Sequence, residues 1–136
     1  MRTFFFLSMM LAASLVGAQN KLTVVVDGIE KSNGTVLVAV YDSIHFMKQP
    51  LYYGMAKVEQ DAEEVTVVIE NIVPGNYAVA VYHDENDNGK LDAGAYGIPI
   101  EKYGFSNNAA GSMGPPAFQE CMVAVEEDAE INITLK

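Results

Sequence analysis

The chain has 136 residues, half of them hydrophobic, with 18 acidic against 8 basic side chains and a net charge of −10. Such a balance repels phosphate backbones and anionic bilayers, so nucleic-acid partners and membrane-surface binding are set aside. The length suits one domain, and the lone cysteine, Cys121, excludes an intrachain disulfide, so a packed core must hold the fold unaided.

The opening stretch, MRTFFFLSMMLAASLVGAQ, carries Arg2, an apolar run from Phe4 to about Val16, and small residues at Gly17 and Ala18. This is the layout of a secretory signal peptide cleaved after Ala18, and the run is short of the roughly 20 residues of a membrane span. The expected domains are therefore residues 1–18, a signal peptide, and residues 19–136, one secreted or periplasmic domain with no integral membrane segment.

Beyond residue 19 the hydrophobic spacing has period two. Residues 21–29 (KLTVVVDGI) and 35–42 (TVLVAVYD) flank the turn signal KSNG and are expected to pair antiparallel. SIHFMKQPLYYG breaks the period. It is expected to hold one helical turn ended before Pro50 and to lay its aromatics over an open end of the core. MAKVEQ and EVTVVIEN follow as a second expected pair, with Val65, Val67 and Ile69 on one face.

Pro74-Gly75 suits a tight turn, because proline pre-sets its own φ and glycine tolerates positive φ. In the next strand Tyr77, Val79 and Val81 alternate with Ala78, Ala80 and Tyr82, the pattern of a strand buried on both sides. Residues 84–116 form a connection too long to be ordinary and too rich in aromatics to be a disordered linker, so a long ordered loop is expected. FQECMVAVE and AEINITLK close the chain as two more strands, with Cys121 a small buried hydrophobe. About seven strands at hairpin spacing predict an all-β fold: a single antiparallel β-sandwich, immunoglobulin-like or transthyretin-like.

Residues 83–92, HDENDNGKLD, place oxygen-bearing side chains at alternate positions. Calcium takes six to eight oxygens at about 2.3–2.6 Å, and a chain wraps it when alternate side chains point inward around a glycine turn. With Asp84 first, Asn86 and Asn88 fall third and fifth, Gly89 sixth, the Lys90 carbonyl seventh and Asp92 ninth, as in an EF-hand type of loop. The even positions, Glu85 and Asp87, point outward. Ala95 stands where a bidentate glutamate belongs, and Glu101 is the nearest acid to complete the set. The competing reading has no metal: Asp84, Asn86 and Asn88 cap their own backbone as Asx-turns. Any calcium here is expected to be weakly held and structural, in the range of about 10⁻⁴–10⁻³ M typical of extracellular modules.

Several motifs resemble those of the exported bacterial domain-of-unknown-function family 2141. They are Pro74-Gly75-x-Tyr77-Ala78, His83-Asp84-x-Asn86-x-Asn88-Gly89-x-x-Asp92, Gly97-Ile98-Pro99-x-Glu101, the run Tyr103 to Asn108, and Pro116-x-Phe118. The resemblance covers essentially the whole chain after residue 18. It implies a secreted β-sandwich and supplies no assigned activity. The loop also resembles, more loosely, the calcium-loaded B-type repeats of bacterial surface adhesins, departing from them at Ala95. The P-G-x-Y hairpin is shared with transthyretin-like and carboxypeptidase-regulatory domains, which bears on fold and not on function.

Three functions compete. In the first, a non-enzymatic binding module presents Tyr96, Tyr103, Phe105, Asn107 and Asn108 to a glycan or an extracellular protein or peptide; alternatively these side chains pin the long loop to the sandwich. In the second, an envelope hydrolase would use His83-Asp84 beside Glu85, with Ser106 or Ser112 as nucleophile. No G-x-S-x-G elbow, H-E-x-x-H pair or phosphate-cradling loop supports it, and the Tyr-Arg-Gly-Ser tail of transthyretin-like hydrolases is missing. In the third, His45-x-Met47 with Met55 and Met113 would handle copper(I), which prefers thioether and imidazole.

Overall fold

Strand alternation places the core. In β1 (Asn20–Asp27) Leu22, Val24 and Val26 are fully buried, and in β2 (Thr35–Tyr41) Val36, Val38 and Val40 are. β3 (Tyr52–Lys57), β4 (Glu64–Ile72) and β5 (Gly75–Asp84) follow. As the period predicts, Val65, Val67 and Ile69 share the buried face of β4. The structure, a computed structural model, describes residues 19–136; the expected signal peptide at 1–18 lies outside the described residues. Three short strands complete the set: β6 (Tyr103–Phe105), β7 (Val123–Val125) and β8 (Ala129–Thr134). No helix among the described residues is long and apolar enough to cross a membrane.

The chain is mostly β and forms two sheets. One is three-stranded, in the order β4-β1-β8; the other is five-stranded, β3-β2-β5-β6, with β7 also paired to β5. β5 divides its free edge between two partners: Gly75–Tyr77 face β7 and Ala80–Tyr82 face β6. The core between the sheets is aliphatic, with Leu22, Val24, Val38, Val67, Val79 and Ile133 at its centre.

The expected neighbour pairings do not form. Residues 21–29 and 35–42 lie in opposite sheets, β1 pairing with β4 and β2 with β3 and β5. MAKVEQ and EVTVVIEN are likewise divided, and Pro74-Gly75 leads from one sheet to the other. The reason is physical: period two tells which face of a strand is buried and is silent about which strand lies alongside. The all-antiparallel expectation also fails at one seam, where β8 runs parallel to β1. In FQECMVAVE the first half is a helical turn, α1 (Phe118–Cys121), its start held by the Ala117 N–H donating to Glu120 Oε2 at 2.8 Å.

A second apolar cluster lies on the outer face of the larger sheet. Ala78, Phe105 and Cys121 are buried there, with Phe46 and Phe118 packed against them. Phe46 meets Tyr41 and Phe118 edge-to-face, each at 5.8 Å between ring centres. This cluster is why β5 is buried on both sides. It also corrects the expected place of the 43–48 turn, which covers a sheet face instead of an open end of the core. Cys121 is buried, and desolvation pushes its thiol up to about 11. Tyr77 donates its hydroxyl proton to the Val73 carbonyl; burial, then Tyr52, pushes that hydroxyl up to about 12. Finally, Tyr103 and Lys136 exchange two main-chain hydrogen bonds, at 3.4 and 3.0 Å, which tie the two sheets together beside β6.

Candidate functional site

β5 leaves its sheet at Asp84, which is 2% exposed. Its Oδ1 accepts the Asn88 N–H at 3.1 Å and its Oδ2 the Gly89 N–H at 2.7 Å, folding the chain back over the strand end. Gly89 turns with φ +78, a conformation open to glycine. Asn86 Oδ1 accepts the Asn88 N–H at 3.3 Å and Asn88 Oδ1 the Lys90 N–H at 3.1 Å. Both amides then aim Nδ2 at Asp92, reaching its two carboxylate oxygens at 2.6 Å each. Those bonds, Asn88's first, hold the Asp92 carboxyl below its ordinary range.

Glu101 returns to the same place. It is 5% exposed, and its oxygens accept the Glu85 N–H at 2.6 Å and the Asp92 N–H at 2.8 Å, joining the two limbs of the loop. Between Asp92 and Glu101 the chain makes a small hairpin. Ile100 N–H donates to the Asp92 carbonyl, Ala93 bridges Pro99, and Gly94 N–H donates to the Ile98 carbonyl. Ala95 opens the turn at its tip (Ala95–Gly97) and is exposed. The twelfth position thus lies at the exposed hairpin tip, whereas Glu101 on the returning limb is buried against the Glu85 and Asp92 N–H groups.

The outward acids behave differently. Glu85 pairs with Lys31 and Asp87 with Lys57, both at 2.8 Å, and Thr35 Oγ donates to Asp87 at 2.6 Å. Lys57's hydrogen bond, then Thr35's, lowers the Asp87 pKa. Among the described residues Asp84, Asp92 and Glu101 make no ion pair. Nor does any group of three or more His, Cys, Asp and Glu among them form a metal-holding cluster unaided. A cation here would need the amide and main-chain oxygens as well.

The β1–β2 link braces the loop from behind. Gly34 has φ +80 and lies so close that a Cβ there would stand 2.1 Å from the Asp84 carbonyl oxygen. Asn33 Nδ2 donates to the Glu85 carbonyl at 2.7 Å, and His83 Nε2 donates to the Asn33 carbonyl at 2.6 Å. His83 is fully buried, its Nδ1 without a partner. Ser106 is also fully buried, donating to the Cys121 carbonyl and accepting the Val79 N–H at 2.9 Å.

The expected ligand surface divides. Tyr103, Phe105 and Asn108 line a groove of about 680 Å³, though Phe105 is 6% exposed and Tyr103 39%. Asn107 is turned away; its Nδ2 donates to the Glu120 and Met122 carbonyls. Asn108 Oδ1 accepts the Thr134 N–H at 2.9 Å. Tyr96 sits in the turn at the hairpin tip, and its side chain lies outside the described part of the structure. Leu91, Ile98 and Lys136 also line the groove; Leu91 and Lys136 were not singled out by sequence and Ile98 only within the Gly97-Ile98-Pro99 motif, although Leu91 and Ile98 are apolar side chains in an otherwise polar loop. Of the soft-metal set, Met47 and Met113 line the groove, Met55 lies apart in β3, and His45 Nδ1 is tied to Asp42 at 2.7 Å.

No curated protein and no solved structure gives a significant match to the chain. One family model does match, that of the "Uncharacterized protein conserved in bacteria (DUF2141)", over residues 24–134. Its span takes in both sheets, the loop and the segments around the groove, and the chain belongs to this bacterial family.

Proposed function

We propose that the chain is an exported, non-enzymatic β-sandwich module in which residues 84–101 take one calcium ion as a structural brace and the adjoining groove is the binding surface. The observation that carries the calcium reading is the division of charges. Lysines neutralise the outward acids Glu85 and Asp87, whereas Asp84, Asp92 and Glu101 form no ion pair among the described residues and turn their carboxylates onto N–H donors of residues 85–92.

The donor set fits a hard cation. A carboxylate offers about four acceptor positions, and each of these three uses two on N–H donors. A half-turn of the Asn86 and Asn88 amides, whose terminal torsion is broadly two-fold, presents Oδ1 in place of Nδ2 and gives up the Oδ1 bonds from the Asn88 and Lys90 N–H groups. The Lys90 carbonyl adds a main-chain oxygen. Bound calcium would supply the charge that these groups lack, and its role is conformational. The non-enzymatic reading draws support from the burial of His83 and Ser106, both committed to main-chain partners. Export is supported by the layout of residues 1–18.

Thermal melting tests the brace. With calcium at about ten times its dissociation constant the fold gains about 1.4 kcal/mol, a rise of about 5 °C for a domain of this size. Asp84→Ala should abolish that rise. Identical melting in calcium and in chelator, for the unaltered protein, would overturn the reading.

A further inference from the structure

We infer that the exported chain begins at Gln19 and that this residue closes on itself, giving a pyroglutamate lactam in place of a free amine. The inference rests on the export reading, and it names a modification that cleavage after Ala18 makes available.

Cleavage there releases the α-amino group of a glutamine, whose side chain brings an amide carbon within reach of that same amine. The step needs no co-reactant. The amine nitrogen attacks Cδ and forms a new C–N bond that closes a five-membered ring. The bond from Cδ to the side-chain nitrogen breaks, and that nitrogen leaves as ammonia with one proton from the amine. Both groups belong to one residue, so the reaction has the advantage of an intramolecular one.

Gln19 is free to react and its neighbour is not. Gln19 is exposed, precedes β1 and makes no side-chain hydrogen bond among the described residues that ring closure would break. Asn20, directly after it, is 8% exposed and stands opposite Ile72 of β4. The Lys21 N–H then donates to Asp128 Oδ1 at 2.8 Å. Cleavage after Ala18 therefore leaves a single exposed residue ahead of a fixed strand.

The surroundings of that end favour a neutral group with an acceptor. Asn20 Nδ2 is buried and has no acceptor among the described residues, a costly state for a donor. A free end would add an ammonium, a further donor bearing a positive charge, one residue away. The lactam removes that charge and retains a ring carbonyl. It also denies an aminopeptidase the amine on which such an enzyme acts. The strand so protected is β1, the middle strand of the smaller sheet, between β4 and β8.

The test is intact-mass spectrometry of the full chain, expressed with residues 1–18 and recovered from the cell envelope or the medium. The recovered protein is incubated at about pH 8, where roughly half of such amines are uncharged. The expected mass is that of residues 19–136 less one ammonia, with sequencing from the N-terminus blocked. Gln19→Ala should be cut at the same bond, give a readable first residue, and lose that residue to an added aminopeptidase that leaves the unaltered protein whole.

A mass of residues 19–136 with the ammonia retained after prolonged incubation would overturn the lactam and leave the export reading standing. So would a mass showing cleavage at another bond. A mass that still includes residues 1–18 would remove the export reading and the lactam together.

Discussion

Glu101 joins what the sequence separates. Its two oxygens hold the N–H groups of Glu85 and Asp92, at the two ends of the polar loop, from a position 5% exposed. Glu101→Gln keeps the shape but replaces one acceptor oxygen with a donor, so one of those N–H groups loses its partner. Urea denaturation in chelator should show a loss of about 1–3 kcal/mol, and calcium should no longer restore it. An unaltered midpoint would mean the carboxylate is dispensable to the loop. At this scale much was legible. Alternation in DENDNGKLD separated Glu85 and Asp87, which meet lysines, from Asp84 and Asp92, which do not. Asn107 was not legible, because the carbonyls it serves belong to Glu120 and Met122, a distant stretch of chain.

Among elements, the faces of the strands could be read and their partners could not. Leu22, Val24 and Val26 announce a buried side of β1, but nothing local tells that β4 and β8 flank it while β2 lies across the core. The link between β1 and β2 shows what the crossing achieves. It carries Asn33 and Gly34 onto the exit of β5, where a side chain at Gly34 would collide with the Asp84 main chain. Gly34→Ala therefore combines a positive φ of 80° with a main-chain clash. It should cost more than about 1 kcal/mol in equilibrium denaturation and weaken calcium by displacing Asp84. The same substitution at Gly89, where a Cβ meets nothing within 4 Å, carries only the cost of φ and serves as the control. Equal losses at both positions would deny that the link presses on the loop.

For the molecule as a whole, the acid excess sets the response to pH. Asp27 is held below its ordinary value of 3.8 by Thr134 and then Asn132, Asp87 by Lys57 first, and Asp92 by Asn88 first. A carboxyl depressed in the folded state contributes stability that is complete above the unfolded pKa and is lost as pH falls through the folded one. Unfolding midpoints in chelator should thus hold down to about pH 4 and drop below it, even as protonation relieves the repulsion of a chain carrying −10. Midpoints that stayed level under more acidic conditions would show that these hydrogen bonds are matched in the unfolded chain. The mostly-β character was legible at this scale from period two, whereas the second apolar cluster around Ala78, Phe105 and Cys121 was not.

The parallel seam between β1 and β8 has a bearing on biosynthesis. Val24 and Val26 sit opposite Ile131 and Ile133, so β1 keeps one flank bare until residues more than 100 positions later have been made. Pairings this distant in sequence form slowly. A nascent chain lacking residues 129–134 has only β1 and β4 in its smaller sheet, and that sheet gains its third strand when synthesis is nearly complete.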